Sequence, residues 1–140
     1  MIEYNCRFGD PEAQPIMMRL QSDLAELCLA ACQGELGSTS TQWDERASLG
    51  VVMAANGYPG NYAKGDLIEN IPPQSMTGKV FHAGTTSDAD GSILSDGGRV
   101  LCAVGLGDNI GAAQQRAYAL IEKISWDAAY FRTDIGSKAL

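Results

Sequence analysis

The chain is poor in the residues from which many active sites are made. It has one histidine in 140 residues, His82. A lone histidine excludes a histidine-rich metal centre, and without a G-x-S-x-G elbow it supplies no catalytic triad. Basic residues are scarce too: ten Lys and Arg against seventeen Asp and Glu leave a net charge of -7. Such a surface repels a polyphosphate backbone, so no nucleic-acid partner is expected, and any phosphate contact has to be made in a local pocket. The four cysteines, Cys6, Cys28, Cys32 and Cys102, form no C-x-x-C pair. Free, mostly buried thiols and a reducing, cytoplasmic setting are expected. No apolar run is long enough to span a bilayer and no basic-then-apolar leader is present, so no membrane partner is expected. "GLGDNIG" misses the G-x-G-x-x-G register, which removes the dinucleotide-loop reading.

What remains is a hydrophobic fraction of 45%, enough for a globular domain with a real core. "IEYNCRF" alternates with the period of a half-buried strand, and "GDP" ends it. In "EAQPIMMRLQSDLAELCLAACQG" Ile16, Leu20, Leu24, Leu27 and Ala31 recur at helical spacing. Pro15 suits a first turn, Ser22 or Asp23 can cap a second helix, and Gly34 is a natural stop, so two helices with a bend are predicted. The polar loop "ELGSTSTQWDE" follows, and the domain boundary is drawn there, giving segments 1–34 and 35–140. The second segment reads as strand-rich. "ASLGVVMAA" and "RVLCAVGLG" are buried strands, "DLIENI" and "KVFHAGT" short ones, and "SDADGS" a hairpin turn. From Asp108 or Asn109, Ile110, Ala113, Ala117, Leu120 and Ile121 define a helix. "SWDAAYFRTDIGSKAL" reads as irregular or briefly helical. The predicted class is α+β: an antiparallel, partly barrel-like sheet with flanking helices.

The chemistry is densest at the start. On an extended strand Glu3 and Asn5 share a face, their Cα atoms about 7 Å apart. A carboxylate and an amide oxygen are hard donors suited to magnesium, which is completed by water and substrate phosphates. Arg7 continues that face with a fork that fits phosphate or carboxylate. Three polar residues on an edge strand are also what a plain solvated face looks like, and a full metal site needs an acidic ligand from elsewhere.

The run "EYNCRFGDPEAQP" resembles the last metal-binding strand of ATP-grasp ligases, and specifically the E-x-N-x-R-F-G-D-P-E-x-Q hallmark of the glycinamide ribonucleotide synthetase (phosphoribosylamine–glycine ligase) family. The likeness continues through "SDLAELCLAAC", "WDERASLGVVMAANGYPGNYAKGD", "KVFHAGT", "GGRVLCAVGLG", "AAQQRAYALI" and "FRTDIGSKAL". It implies that segment 1–34 is the last strand and helices of an ATP-grasp domain, and 35–140 the ligase's C-terminal domain. It implies an activity joining 5-phosphoribosylamine and glycine, with ATP converted to ADP and phosphate through a glycyl phosphate, in purine biosynthesis. By position, Glu3 and Asn5 would hold Mg2+ or Mn2+, and Arg7 would steady the transferring phosphate. Asp10 and Glu12 would orient Arg7 or meet the amine substrate. The implied partners are ATP, glycine, 5-phosphoribosylamine and the N-terminal and ATP-grasp lobes. Turnover by this stretch alone is not expected. A non-catalytic binding or assembly module that kept the fold is the alternative, and another ATP-grasp ligase is disfavoured by "RFGDPE".

The resemblance also points to a substrate wall in the second segment. "GYP" sets an aromatic on a turn, "FHAGT" brings His82 and Thr85 to a strand end, and "DGGRV" places Arg99 after two glycines, where backbone approaches a ligand closely. "RTDIG" presents Arg132 and Asp134. Arg99 and Arg132 would take a phosphoribosyl phosphate and Asp134 its hydroxyls. An Arg–Asp pair two apart is also a common local ion pair, and a Gly-Gly before a strand a common turn.

Overall fold

The computed structural model describes residues 6–140. Glu3 and Asn5, with most of the predicted first strand, lie outside the described residues; Cys6–Phe8 are bends and coil. The chain then forms α1 (Ala13–Arg19) and α2 (Leu24–Gln33), followed by β1 (Ala47–Ala55), β2 (Leu67–Ile68), β3 (Gly78–His82), β4 (Thr85–Ser87), β5 (Ile93–Ser95) and β6 (Arg99–Gly107). The helix α3 (Ile110–Ile121) and a short β7 (Ala129–Tyr130) complete the order.

Two antiparallel sheets result where one was expected. The larger has the order β3-β6-β1-β7, the smaller β2-β5-β4. β1 and β6 form the centre, in register from Ala47 opposite Gly107 through Val51 opposite Ala103. β6 is buried on both faces from Val100 to Gly107 and so reads as a continuous apolar run, whereas β1 alternates buried Leu49, Val51 and Met53 with half-buried Ser48, Gly50 and Val52. One face meets α3. There Leu49, Val51 and Met53 of β1 and Leu101 and Ala103 of β6 enclose Ala113, Ala117, Leu120 and Ile121. Gly105 and Gly107 lie directly under the α3 backbone, where a Cβ would strike Ala113 and its neighbours. Glycines on the strand and alanines on the helix thus allow a very close crossing.

The opposite face meets α1. Pro15 sits against Gly50, where a Cβ would come within 2.9 Å of the ring, and the Ser48 hydroxyl donates to the Pro15 carbonyl at 2.9 Å. The chain is held again where Leu20 bridges Trp43 and the Asp44 amide donates to Arg19 O at 2.7 Å.

The break between α1 and α2 falls where the capping residues predict it. The Asp23 carboxylate accepts from the Ala25 and Glu26 amides, and Gly34 ends α2 in the left-handed region at φ 75°. The predicted apolar face of α2 is not a core face here. Ala30 is its one buried residue, while Leu24 and Leu29, with Leu36 and Trp43 beyond, are exposed. The thiols also depart from expectation: Cys6, Cys28 and Cys32 are exposed and only Cys102 is buried. Asn109 caps α3 by accepting from the Ala112 amide at 2.9 Å. No helix among the described residues is long and apolar enough to cross a membrane.

Candidate functional site

The even-numbered face of β1 continues past α1 as the floor of an open cavity of about 340 Å³. Gly50, Val52 and Ala54 form this floor. Tyr58 comes from the turn after β1, Tyr130 and Phe131 from the β7 segment, and Pro11 from the stretch before α1. Two predicted site residues, Arg99 and Arg132, lie on its lining although 33 positions separate them in sequence.

Each arginine is oriented by an aspartate. Arg99 Nη2 donates to Asp10 Oδ2 at 2.8 Å, tying the segment before α1 to the first residue of β6. Its guanidinium also stands over the Tyr58 ring, 5.9 Å from the centroid. Tyr58 in turn packs against Gly98, where any Cβ would overlap the ring. Gly97 is in backbone contact with Gly84. The glycine pair before Arg99, expected to admit a ligand, therefore admits the Tyr58 ring and the backbone of Gly84.

Arg132 makes the local ion pair that its spacing allows. Nε donates to Asp134 Oδ1 at 2.8 Å and Nη2 to Oδ2 at 2.6 Å. The pair holds the Asp134 carboxyl below its ordinary value and raises the guanidinium, hydrogen bonding being the main cause in both. This geometry uses two of the five guanidinium donors and leaves Nη1 for an incoming anion. Asp134 does not line the apolar cavity; it lines an adjoining hollow with Arg132 and Lys138.

The remaining predicted residues lie nearer the N-terminus. Arg7 is exposed and donates from Nη1 to Phe8 O at 3.1 Å. Glu12 stands at the N-cap of α1 without capping it by side chain, its carboxylate folded over Gly9 where a Cβ would collide with it. His82 shares a 3.1 Å hydrogen bond with Thr85 and does not line the cavity. No cluster of three or more His, Cys, Asp or Glu that could hold a metal occurs among the described residues. Tyr130, Phe131, Ile135 and Pro11 were not anticipated as lining. Three of them belong to the stretch 130–135 that bears Arg132 and Asp134, and Pro11 follows Asp10, so only nearness to those predicted residues marks them in sequence.

A family model described as "Phosphoribosylglycinamide synthetase, C domain" matches residues 48–138. The chain belongs to this family. Over 141 aligned residues it is 57% identical to the phosphoribosylamine–glycine ligase of Salmonella typhimurium, covering 100% of this chain and 33% of that protein. It is 58% identical to the Vibrio cholerae ligase at the same coverage. The crystal structure of the Thermotoga maritima phosphoribosylamine–glycine ligase superposes with a TM-score of 0.73 at 31% identity, over 96% of this chain and 33% of that one. The chain thus spans about a third of the length of the relatives it matches. Their resemblance agrees with the α+β class and antiparallel sheets read from the sequence.

Proposed function

We propose that the chain is part of a phosphoribosylamine–glycine ligase, in which its cavity wall receives the phosphoribosylamine. The observation that carries this reading is the 57% identity to a named ligase along the whole chain. The convergence of Arg99 and Arg132 on one cavity supports the assignment of the wall. In this reaction ATP gives its γ-phosphoryl group to the glycine carboxylate, forming glycyl phosphate and ADP. The amine nitrogen of phosphoribosylamine then attacks the glycyl carbonyl, the C–N bond forms, phosphate leaves with the C–O pair of electrons, and the nitrogen gives up one proton to the departing phosphate or to water.

The chain's own residues bind and orient. Arg132 offers its free Nη1 to the ribose phosphate, Asp134 accepts from ribose hydroxyls, and Arg99 is held ready at the rim by Asp10 and Tyr58. Arg7 steadies the phosphoryl group in transfer, and Glu12 is the carboxylate proposed to meet the amine substrate. Glu3 and Asn5, as hard oxygen donors, suit Mg2+ or Mn2+, which would neutralise phosphate charge when bound. ATP and the metal are held jointly with ATP-grasp lobes, so catalysis belongs to the assembled ligase. The division at residues 34 and 35 is proposed as the junction of the ATP-grasp and C-terminal parts.

The test is a chimaera in which this chain replaces the matching third of the Vibrio cholerae ligase. Turnover of ATP that requires both glycine and phosphoribosylamine is expected. A folded chimaera that turns over nothing would refute the ligase reading and favour a binding module, for which the exposed Leu24, Leu29, Leu36 and Trp43 would be the docking face.

A further inference from the structure

We infer that Tyr118 is a positioning residue for Arg132, acting from the helix behind the site; this rests on the reading that Arg132 meets the phosphoribosyl group. The segment bearing Arg132 has no regular secondary structure of its own between β7 and the last turn of the chain. Its shape is imposed by α3. The Tyr118 hydroxyl donates to the Arg132 carbonyl at 2.7 Å and accepts from the Ile135 amide at 3.1 Å. One hydroxyl therefore closes both ends of the four-residue turn that contains the Arg132–Asp134 pair. Gln114, one helical turn earlier on the same face, donates from Nε2 to the Ile135 carbonyl at 2.7 Å. The Tyr118 ring also meets Phe131, with centroids 6.5 Å apart, so the residue before Arg132 is seated on the same side chain. Phe131 and Ile135 line the cavity with Arg132. Removing the hydroxyl alone leaves the ring contact and the helix in place while releasing the turn.

Tyr118→Phe is made in the chimaeric ligase beside Arg132→Ala and the double variant. Loss of a hydrogen bond that fixes a substrate-binding cation is expected to raise the KM for phosphoribosylamine by about five- to tenfold. The kcat and the KM for ATP and glycine are expected to stay within about twofold. Arg132→Ala is expected to raise the same KM, and the double variant to be no worse than Arg132→Ala alone, because the hydroxyl acts through the arginine. If Arg132→Ala raises that KM and Tyr118→Phe does not, the positioning role is overturned while the substrate reading of Arg132 stands. An unaltered KM in Arg132→Ala removes that reading and this role with it. A uniform change in all three KM values, or full additivity in the double variant, assigns Tyr118 a general structural role and overturns the proposal.

Discussion

The close crossing of α3 over β6 sets a steep steric limit at Gly105. A Cβ there would overlap the Ala113 carbonyl oxygen and stand 2.7 Å from Ala117 N and 2.9 Å from Arg116 Cβ, where ordinary contact begins near 3.4 Å. Two of these obstacles are helix backbone, which cannot rotate away. Gly105→Ala therefore has to lift α3 by about 1 Å, in an interior that is close-packed. The lift loosens Ala113 and Ala117, both fully buried, and the contacts of Leu120 and Ile121. Overpacking of this kind costs about 3 kcal/mol, the upper end of its usual range, because the obstruction is rigid. For a chain of this length that corresponds to a melting temperature lower by roughly 10 °C. Gly111→Ala is the counterpart. Its Cβ would meet only the Leu140 side-chain tip at 3.2 Å and Asn109 Oδ1 at 3.3 Å. There the helical preference of alanine, about 0.5 kcal/mol, is offset by crowding of the Asn109 cap, so little net change is expected. Urea denaturation followed by circular dichroism reads both. A midpoint for Gly105→Ala equal to that of the unaltered chain, at equal m, would refute the crossing geometry.

Three further outcomes are expected. Hydrogen bonds from Arg46 hold the Asp44 carboxyl at about 2, below its ordinary 3.8. A lowered folded-state pKa contributes stability that is present above about pH 4 and is lost as pH falls towards 2, so Asp44→Asn should flatten the fall in urea midpoint across that window. Burial, with a smaller effect from the Asp10 charge, pushes the Cys102 thiol up to about 12. Iodoacetamide at mildly alkaline pH should label Cys6, Cys28 and Cys32 in the native chain and reach Cys102 only in denaturant, read by mass spectrometry. Asn109→Ala removes the acceptor for the Ala112 amide and should cost about 1 kcal/mol in the same urea titration, whereas a midpoint unchanged would deny the cap any role.

Elements whose pattern is local were legible in the sequence. The spacing of Ala113, Ala117, Leu120 and Ile121 gave α3, the apolar runs gave β1 and β6, and Gly34 with the alternative caps Ser22 and Asp23 gave the ends of α2, Asp23 being the cap formed. Elements defined by their partners were not. β7 is two residues that exist as a strand only because Ala54 and Ala55 pair with Tyr130 and Ala129. The split into two sheets depends on which edges Leu67 and Thr85 find, and no periodicity records that. Spacing also misled on α2, since an apolar stripe states what a face would bury and not what lies opposite it. At the site, the resemblance grouped Arg99 with Arg132, but what holds Arg99 in place was not readable. Asp10 reaches Arg99 across 89 positions of sequence, and Tyr58 occupies the room over Gly98 that the glycines seemed to reserve for a ligand.

The docking of α1 on the central sheet bears on how this chain should be shortened or grafted. A cut at residue 35, the natural choice from the sequence, would strip Pro15 from Gly50, unpin Ser48, and take away Asp10 and Pro11 from the rim. The bared strip of β1 and β6 would then be a sticky surface on an otherwise acidic molecule, inviting self-association. Any transplant of this wall into another scaffold has to carry the stretch from Gly9 to Leu20, which covers the same face of β1 beside the cavity.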